Sequence, residues 1–130
     1  MVSVAPEQAL SKYRILVIDD HEDFLETLSY WLQAKGHHVM TAINCEAGLR
    51  IIQVAQLDVV FLDMHMPKVD GIETLRRIRE THKDLPVILV TAYAVDEKVK
   101  QAGELGISGV FPKDGGFDKL LQVMEQALKK

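Results

Sequence analysis

Five short apolar runs punctuate this chain, and longer amphipathic stretches separate them. The runs are "RILVID" from Arg14, "HVMTAI" from His38, "DVVFLD" from Asp58, "LPVILVTA" from Leu85 and "SGVFPK" from Ser108. Several are continuous and rich in β-branched residues, the pattern of strands buried on both faces. The stretches between them repeat at helical spacing. From His21 to Lys35 the apolar positions are Phe24, Leu25, Leu28, Trp31 and Leu32, and Gly36 stands where a helix stops. Cys45 to Ala55 sets Ala47, Ile51, Ile52 and Ala55 on one side. Ile72 to Glu80 turns Leu75 and Ile78 inward and Arg76, Arg77 and Arg79 outward, toward solvent. Val95 to Leu105 reads as a weaker helix, interrupted by Gly103. Phe117 to Leu128 closes with a stripe of Phe117, Leu120, Leu121, Met124 and Leu128. "MHMPKVDG", from Met64, is a loop.

Strands alternating with helices predict an α/β fold, a parallel sheet with helices on both faces and right-handed crossovers. Residues 1–12 read as a flexible leader and residues 13–130 as one domain, without repeats or low-complexity tracts. A ligand site in such a sheet lies at the carboxyl ends of the strands, near the topological switch point.

Composition narrows the function classes. The chain has 130 residues, 48% of them hydrophobic and 26% charged, enough for one real core. Its net charge of −4 offers no basic patch for nucleic acid. No apolar run approaches the length of a membrane span. The opening "MVSVAPEQALSKYR" lacks the charged start and apolar centre of a signal peptide, so a cytoplasmic location is expected. The single cysteine, Cys45, excludes an internal disulfide and reads as a small helix residue.

The chemistry gathers at the strand ends. Asp19 and Asp20 follow the first run, Asp63 ends the third, Thr91 and Ala92 end the fourth, and Lys113 ends the fifth. Each has an ordinary explanation alone. Asp19 and Asp20 could cap the first helix, Asp63 could be a turn residue ahead of Pro67 and Gly71, Thr91 suits any strand, and Lys113 could be a solvated charge. Together they form one complementary set on one sheet edge. Three clustered carboxylates do not all ionise without cost. A hard divalent cation resolves this, and magnesium takes one or two carboxylates together with phosphate oxygens. A carboxylate so neutralised can serve as a nucleophile toward phosphorus, and Lys113, Thr91 and loop N–H groups could receive the phosphoryl oxygens.

With "LVIDDHEDF", "VVFLDMHMPKVDGIETLRRIR", "PVILVTAY" and "GISGVFPKDG", the sequence resembles a response regulator receiver domain of two-component signalling, from about Tyr13 to Leu128. The resemblance implies a CheY-like, flavodoxin-like fold with strand order 2-1-3-4-5. It implies that Asp63 is the phosphoacceptor, that Asp20 ligates magnesium (or manganese) directly and Asp19 through water, and that the His65 backbone carbonyl is a further ligand. Thr91 would be the switch hydroxyl, and Lys113 would contact the phosphoryl oxygens. The chain would be a signalling domain acting only on its own acceptor, not an enzyme with turnover on an external substrate. A sensor histidine kinase or phosphotransfer protein would supply the phosphoryl group. An output domain or partner protein would read the surface formed by the fourth helix, fifth strand and fifth helix, and the last helices would be the contact of a phosphorylation-dependent homodimer. No direct nucleic-acid or membrane contact is implied.

Two positions depart from the family. Val110 stands where an aromatic is common, three residues before Lys113, and period two sends its neighbour Phe111 to the opposite face. Asp114 follows Lys113 where many members have proline, which removes the usual support for a cis bond. His65 and Tyr93 border the expected path of attacking water. Tyr93 either shields an acyl phosphate or packs on the surface. His37, His38 and His82 read as surface positions. The competing class is a receiver-like interaction module that works without phosphorylation, although such a module has no need of the full acidic set. A phosphatase acting on other substrates is disfavoured, because its second acid/base aspartate would fall at His65.

Overall fold

The computed structural model describes residues 12–92 and 97–129. Within them strands and helices alternate strictly: β1 (Arg14–Ile18), α1 (Glu22–Ala34), β2 (His38–Ala42), α2 (Cys45–Val54), β3 (Val59–Asp63), α3 (Gly71–Thr81), β4 (Val87–Thr91), α4 (Glu97–Leu105), β5 (Gly109–Pro112) and α5 (Phe117–Leu128). Residues 1–11 of the expected leader and Tyr93 lie outside the described residues, as does the expected start of the fourth helix at Val95.

All strand pairs are parallel, in the order β2-β1-β3-β4-β5. The order reverses between β1 and β3, so the switch point falls at the mouth of those two strands. Every residue of β3 and β4 is buried. Their alternate side chains therefore feed two cores. Leu16, Ile18, Val60, Leu62 and Leu89 pack with Ile52, Ile72, Leu75, Ile78 and Ala102 of α2, α3 and α4. Ile15, Val17, Phe61, Ile88 and Val90 pack with Leu25, Leu28 and Leu32 of α1 and with Leu120, Val123 and Met124 of α5. Fully burying one such side chain stabilises the fold by about 1.5–3 kcal/mol before entropy is counted. Phe111 joins the α1/α5 core with 0% exposure, whereas Val110 packs on the opposite side. The strand period thus holds at β5, and no aromatic stands on the α4 side of that strand. All described peptide bonds are trans, including that between Lys113 and Asp114.

Local side chains fix the helix starts. The Asn44 side chain accepts from the Ala47 N–H at 2.8 Å and caps α2. Asp70 accepts from the Glu73 N–H at 3.1 Å and caps α3. Asn44→Ala should therefore lower stability by about 1 kcal/mol, read as a shifted urea midpoint at unchanged slope.

Three polar residues differ from the surface roles expected of them. Arg79 is not a solvated charge. Its guanidinium donates to the Gly106 carbonyl at 2.8 and 3.2 Å and to the His82 carbonyl at 2.7 Å, tying the end of α3 to the turn after α4. A long side chain on an outward-facing position can still reach round to unpaired carbonyls. Arg76 and Arg77 do face solvent and pair with Glu73 at 2.9 and 3.1 Å. His37 is buried at 8% exposure, accepts from the Tyr13 N–H through Nδ1 at 3.0 Å and stacks on the Tyr13 ring. Burial, with His38 adjacent, holds its pKa below the ordinary imidazole value. His82 is half-buried at the end of α3, and only His38 is exposed as expected.

Candidate functional site

Sheet hydrogen bonds bring the strand ends to one edge. The Asp19 N–H donates to the Ala42 carbonyl at 3.0 Å, which seats Asp19 just past β1 against β2. Asp63 closes β3 opposite Val90, and the next residue, Met64, donates to the Val90 carbonyl at 3.0 Å. Thr91 closes β4, and the Lys113 N–H donates to its carbonyl at 2.9 Å. The Gly71 N–H donates to the Met64 carbonyl at 3.0 Å and folds the loop of residues 64–70 back onto the end of β3.

Four of the five expected side chains meet there through charge. Asp19 and Asp63 are 0% and 1% exposed, and Thr91, beside them on the sheet edge, is 0% exposed. Asp20 is half-buried. Lys113 Nζ lies 2.9 Å from Asp19 Oδ2 and 3.6 Å from Asp63 Oδ2, and 5.0 Å above the Phe24 ring. The other oxygens of the two buried aspartates are occupied. Asp19 Oδ1 accepts from the His21 N–H at 2.8 Å, and Asp63 Oδ1 accepts from the His65 N–H at 3.2 Å.

One ammonium is too little charge for three carboxylates. Asp19 Oδ2, Asp20 Oδ1 and Asp63 Oδ2 are all sealed from solvent without an aligned hydrogen bond, although Lys113 and His21 stand within ion-pair range of them. Burial, with Asp19 beside it, pushes the Asp63 carboxyl up to about 6, against the opposing pull of the His65 N–H and of Lys113. Buried, unsatisfied carboxylate oxygens carry a desolvation cost that a hard cation removes. Asp19, Asp20 and Asp63 each offer a ligand oxygen, and these lie within 4.8 Å of one another. An all-oxygen donor set of this kind fits magnesium or manganese.

The same group includes a residue that the sequence reading passed over. His21 directs Nδ1 toward Asp19 Oδ1 at 3.1 Å, Asp20 Oδ1 at 3.3 Å and Lys113 Nζ at 3.1 Å. The available signal was its position, directly after Asp20 and one residue before α1. His65, by contrast, is exposed, and its backbone N–H is the part that touches Asp63.

Comparison with known proteins identifies the family. The family model for the response regulator receiver domain matches residues 15–125. The chain is 36% identical over 119 residues to the response regulator MprA of Mycolicibacterium vanbaalenii, covering 90% of this chain and 51% of that protein. It is 33% identical over 116 residues to the regulatory protein AtoC of Escherichia coli, covering 89% of this chain and 25% of that protein. The chain thus spans about half or less of the length of these relatives. Among solved structures, the chemotaxis protein CheY4 of Vibrio cholerae superposes with a TM-score of 0.86 at 27% identity, covering 91% of this chain and 100% of that one. The response regulator protein TrrA of Thermotoga maritima, in complex with Mg(2+)-BeF, superposes with a TM-score of 0.81 at 33% identity, covering 89% of this chain and 99% of that one.

Proposed function

From the premise that this chain belongs to the response regulator receiver domain family, we propose that it is a phospho-accepting switch whose acceptor is Asp63. The observation that carries the reading is the buried, under-neutralised meeting of Asp19, Asp20 and Asp63 beside Lys113. Asp19, Asp20, Asp63 and the His65 backbone carbonyl would hold magnesium or manganese. The bound cation would neutralise the carboxylates and draw in phosphoryl oxygens.

A carboxylate oxygen of Asp63 attacks the donor phosphorus, and the bond from phosphorus to the donor breaks with its electron pair leaving on the donor. That donor is a phosphohistidine of a sensor kinase or phosphotransfer protein, or a small acyl phosphate. Lys113, already 3.6 Å from Asp63 Oδ2, meets the new phosphoryl oxygens, and the Thr91 hydroxyl turns toward them. The domain acts only on its own acceptor, by accepting and then hydrolysing the phosphoryl group. The Mg(2+)-BeF complex of TrrA, a relative with the same fold, supports a phosphoryl-and-magnesium reading of the pocket.

The surface that changes is that of α4, β5 and α5. It would control an output domain or separate partner, including a second copy docking through the last helices. Among the described residues of α4 only Ala102 is buried, against three or more in each other helix, so this is the helix cheapest to move. With Val110 in place of an aromatic, loop and helix shifts, that of α4 among them, carry the signal. No described helix is long and apolar enough to cross a membrane, and a cytoplasmic setting suits a kinase partner.

Amide exchange tests the switch. Acetyl phosphate with magnesium should change protection across residues 97–112 in the wild type and leave the Asp63→Asn variant unchanged. Unchanged exchange in a phosphorylated wild type would remove α4 and β5 from the output surface.

A further inference from the structure

The proposed switch leaves His21 without a role, although its imidazole stands among the carboxylates. Its backbone N–H is fixed to Asp19 Oδ1 at 2.8 Å, so the ring starts from a held position at the entrance of the pocket. One of its ring nitrogens belongs to a group of four ligand atoms, with Asp19, Asp20 and Asp63, that lie within 4.8 Å of one another, and Nδ1 stands 3.1 Å from Asp19 Oδ1 and 3.3 Å from Asp20 Oδ1. Ligands bound to one first-row ion at about 2.0–2.2 Å stand roughly 3–4.3 Å apart, so shifts of a few tenths of an ångström would close the set.

A second observation points to a ligand independently of this clustering. The Asp19 and Asp63 side chains are 1% and 2% exposed. Each keeps an Oδ2 atom that faces the pocket without an aligned hydrogen bond. Among the described lysines and arginines, the cation beside them is Lys113, which lies 2.9 Å from Asp19 Oδ2 and 3.1 Å from His21 Nδ1. An ion seated on these atoms would take over what the ammonium now does there.

We propose that His21 is a direct metal ligand in this chain and shifts the pocket toward borderline transition ions, such as cobalt(II), nickel(II) and zinc(II), relative to magnesium. The inference rests on the reading that the pocket holds a divalent cation. The chemistry of the donor decides its direction. Imidazole nitrogen suits zinc, copper, iron and nickel, whereas carboxylate, carbonyl and water suit magnesium and manganese. Magnesium keeps its waters and gains little from a nitrogen donor. Oxygen ligands alone already favour the later transition ions. The diagnostic is therefore not the preference itself but its change when the imidazole is removed. The ring is 65% exposed, so it can turn onto an ion without repacking the core. A regulator of this kind would meet competition for its magnesium site wherever such ions are abundant.

Calorimetric titration of the intact chain with cobalt(II) and, separately, with magnesium tests the proposal. The proteins are the wild type, His21→Gln, and His38→Gln as an exposed histidine control away from the pocket. His21→Gln should weaken cobalt binding by about tenfold or more while leaving magnesium affinity within about twofold. The visible spectrum of bound cobalt should change in the same variant, and His38→Gln should match the wild type in both readouts. Unchanged cobalt affinity and spectrum in His21→Gln would overturn the proposal and make His21 a helix-start residue only. Equal losses for both ions would also overturn it, because His21 would then organise the carboxylates without selecting the metal. If the wild type bound magnesium but His21→Gln behaved as the wild type, only this inference would fail. If the folded wild type bound neither ion, the metal reading of the pocket would fail with it.

Discussion

Asp63→Asn should make the metal-free protein more stable by about 3 kcal/mol near pH 7.5, and give almost no gain near pH 4. Asp63 is 1% exposed, and its carboxyl is pushed up to about 6 by burial and by Asp19. In the unfolded chain it titrates near the ordinary carboxylate value. Between about pH 4 and pH 6 the native state therefore holds more protons than the unfolded state. Stability then falls as pH rises through that window and levels off above it. Asparagine has the same shape and no charge to bury, so the variant lacks this loss. A series of urea midpoints from about pH 4 to pH 8 should show the gap between the two proteins opening over that interval. Saturating magnesium should narrow the gap, because a cation that binds only the folded wild-type pocket restores its stability by mass action. A gap that is constant with pH would mean that Asp63 is not under the electrostatic load described here.

Gly71→Ala should destabilise the protein by about 3 kcal/mol, while Gly103→Ala should stabilise it by about 0.5–1 kcal/mol. The contrast comes from what each methyl would meet. At Gly71 an added Cβ would stand 2.5 Å from the Asp63 carbonyl oxygen and 2.7 Å from Met64 Cα. Both are backbone atoms at the end of β3, so the conflict can be relieved only by moving the strand end that carries the acceptor. Gly71→Ala should therefore also slow phosphorylation of whatever fraction remains folded. At Gly103, inside α4, nothing lies within 4 Å of the added carbon, and only the helix-propensity cost of glycine is removed. Thermal unfolding of the two variants measures both signs. A stable Gly71→Ala variant with an unchanged phosphorylation rate would mean that the loop after β3 can yield without disturbing Asp63.

Much of this was legible in the chain because two periods are hard to counterfeit. Continuous β-branched runs such as "VVFLD" and "VILV" can be satisfied only by strands covered on both faces, which fixes the parallel sheet and the edge where its polar ends meet. Period two also placed Phe111 in the α1/α5 core and Val110 opposite. What escaped depends on reach and on contacts distant in sequence. Arg79 faces outward by helical period, yet its guanidinium finds the Gly106 carbonyl 27 residues away. His37 lies at the edge of β2, and only folding places the Tyr13 N–H and ring against it. His21 reads as the start of a helix. Its approach to Lys113, 92 residues further on, exists only once β1 and β5 share a sheet edge. The load on Asp63 and its upward direction were foreseeable from clustered carboxylates, but its size depends on how deeply the end of β3 is sealed.

The most direct test of the central claim is intact-protein mass after incubation with acetyl phosphate, with and without magnesium, on the wild type and Asp63→Asn. The account predicts one phosphoryl adduct on the wild type, formed only with the divalent cation and absent from the variant. A folded wild type that takes up no phosphoryl group under any of these conditions, or a variant that takes it up as readily, would contradict it.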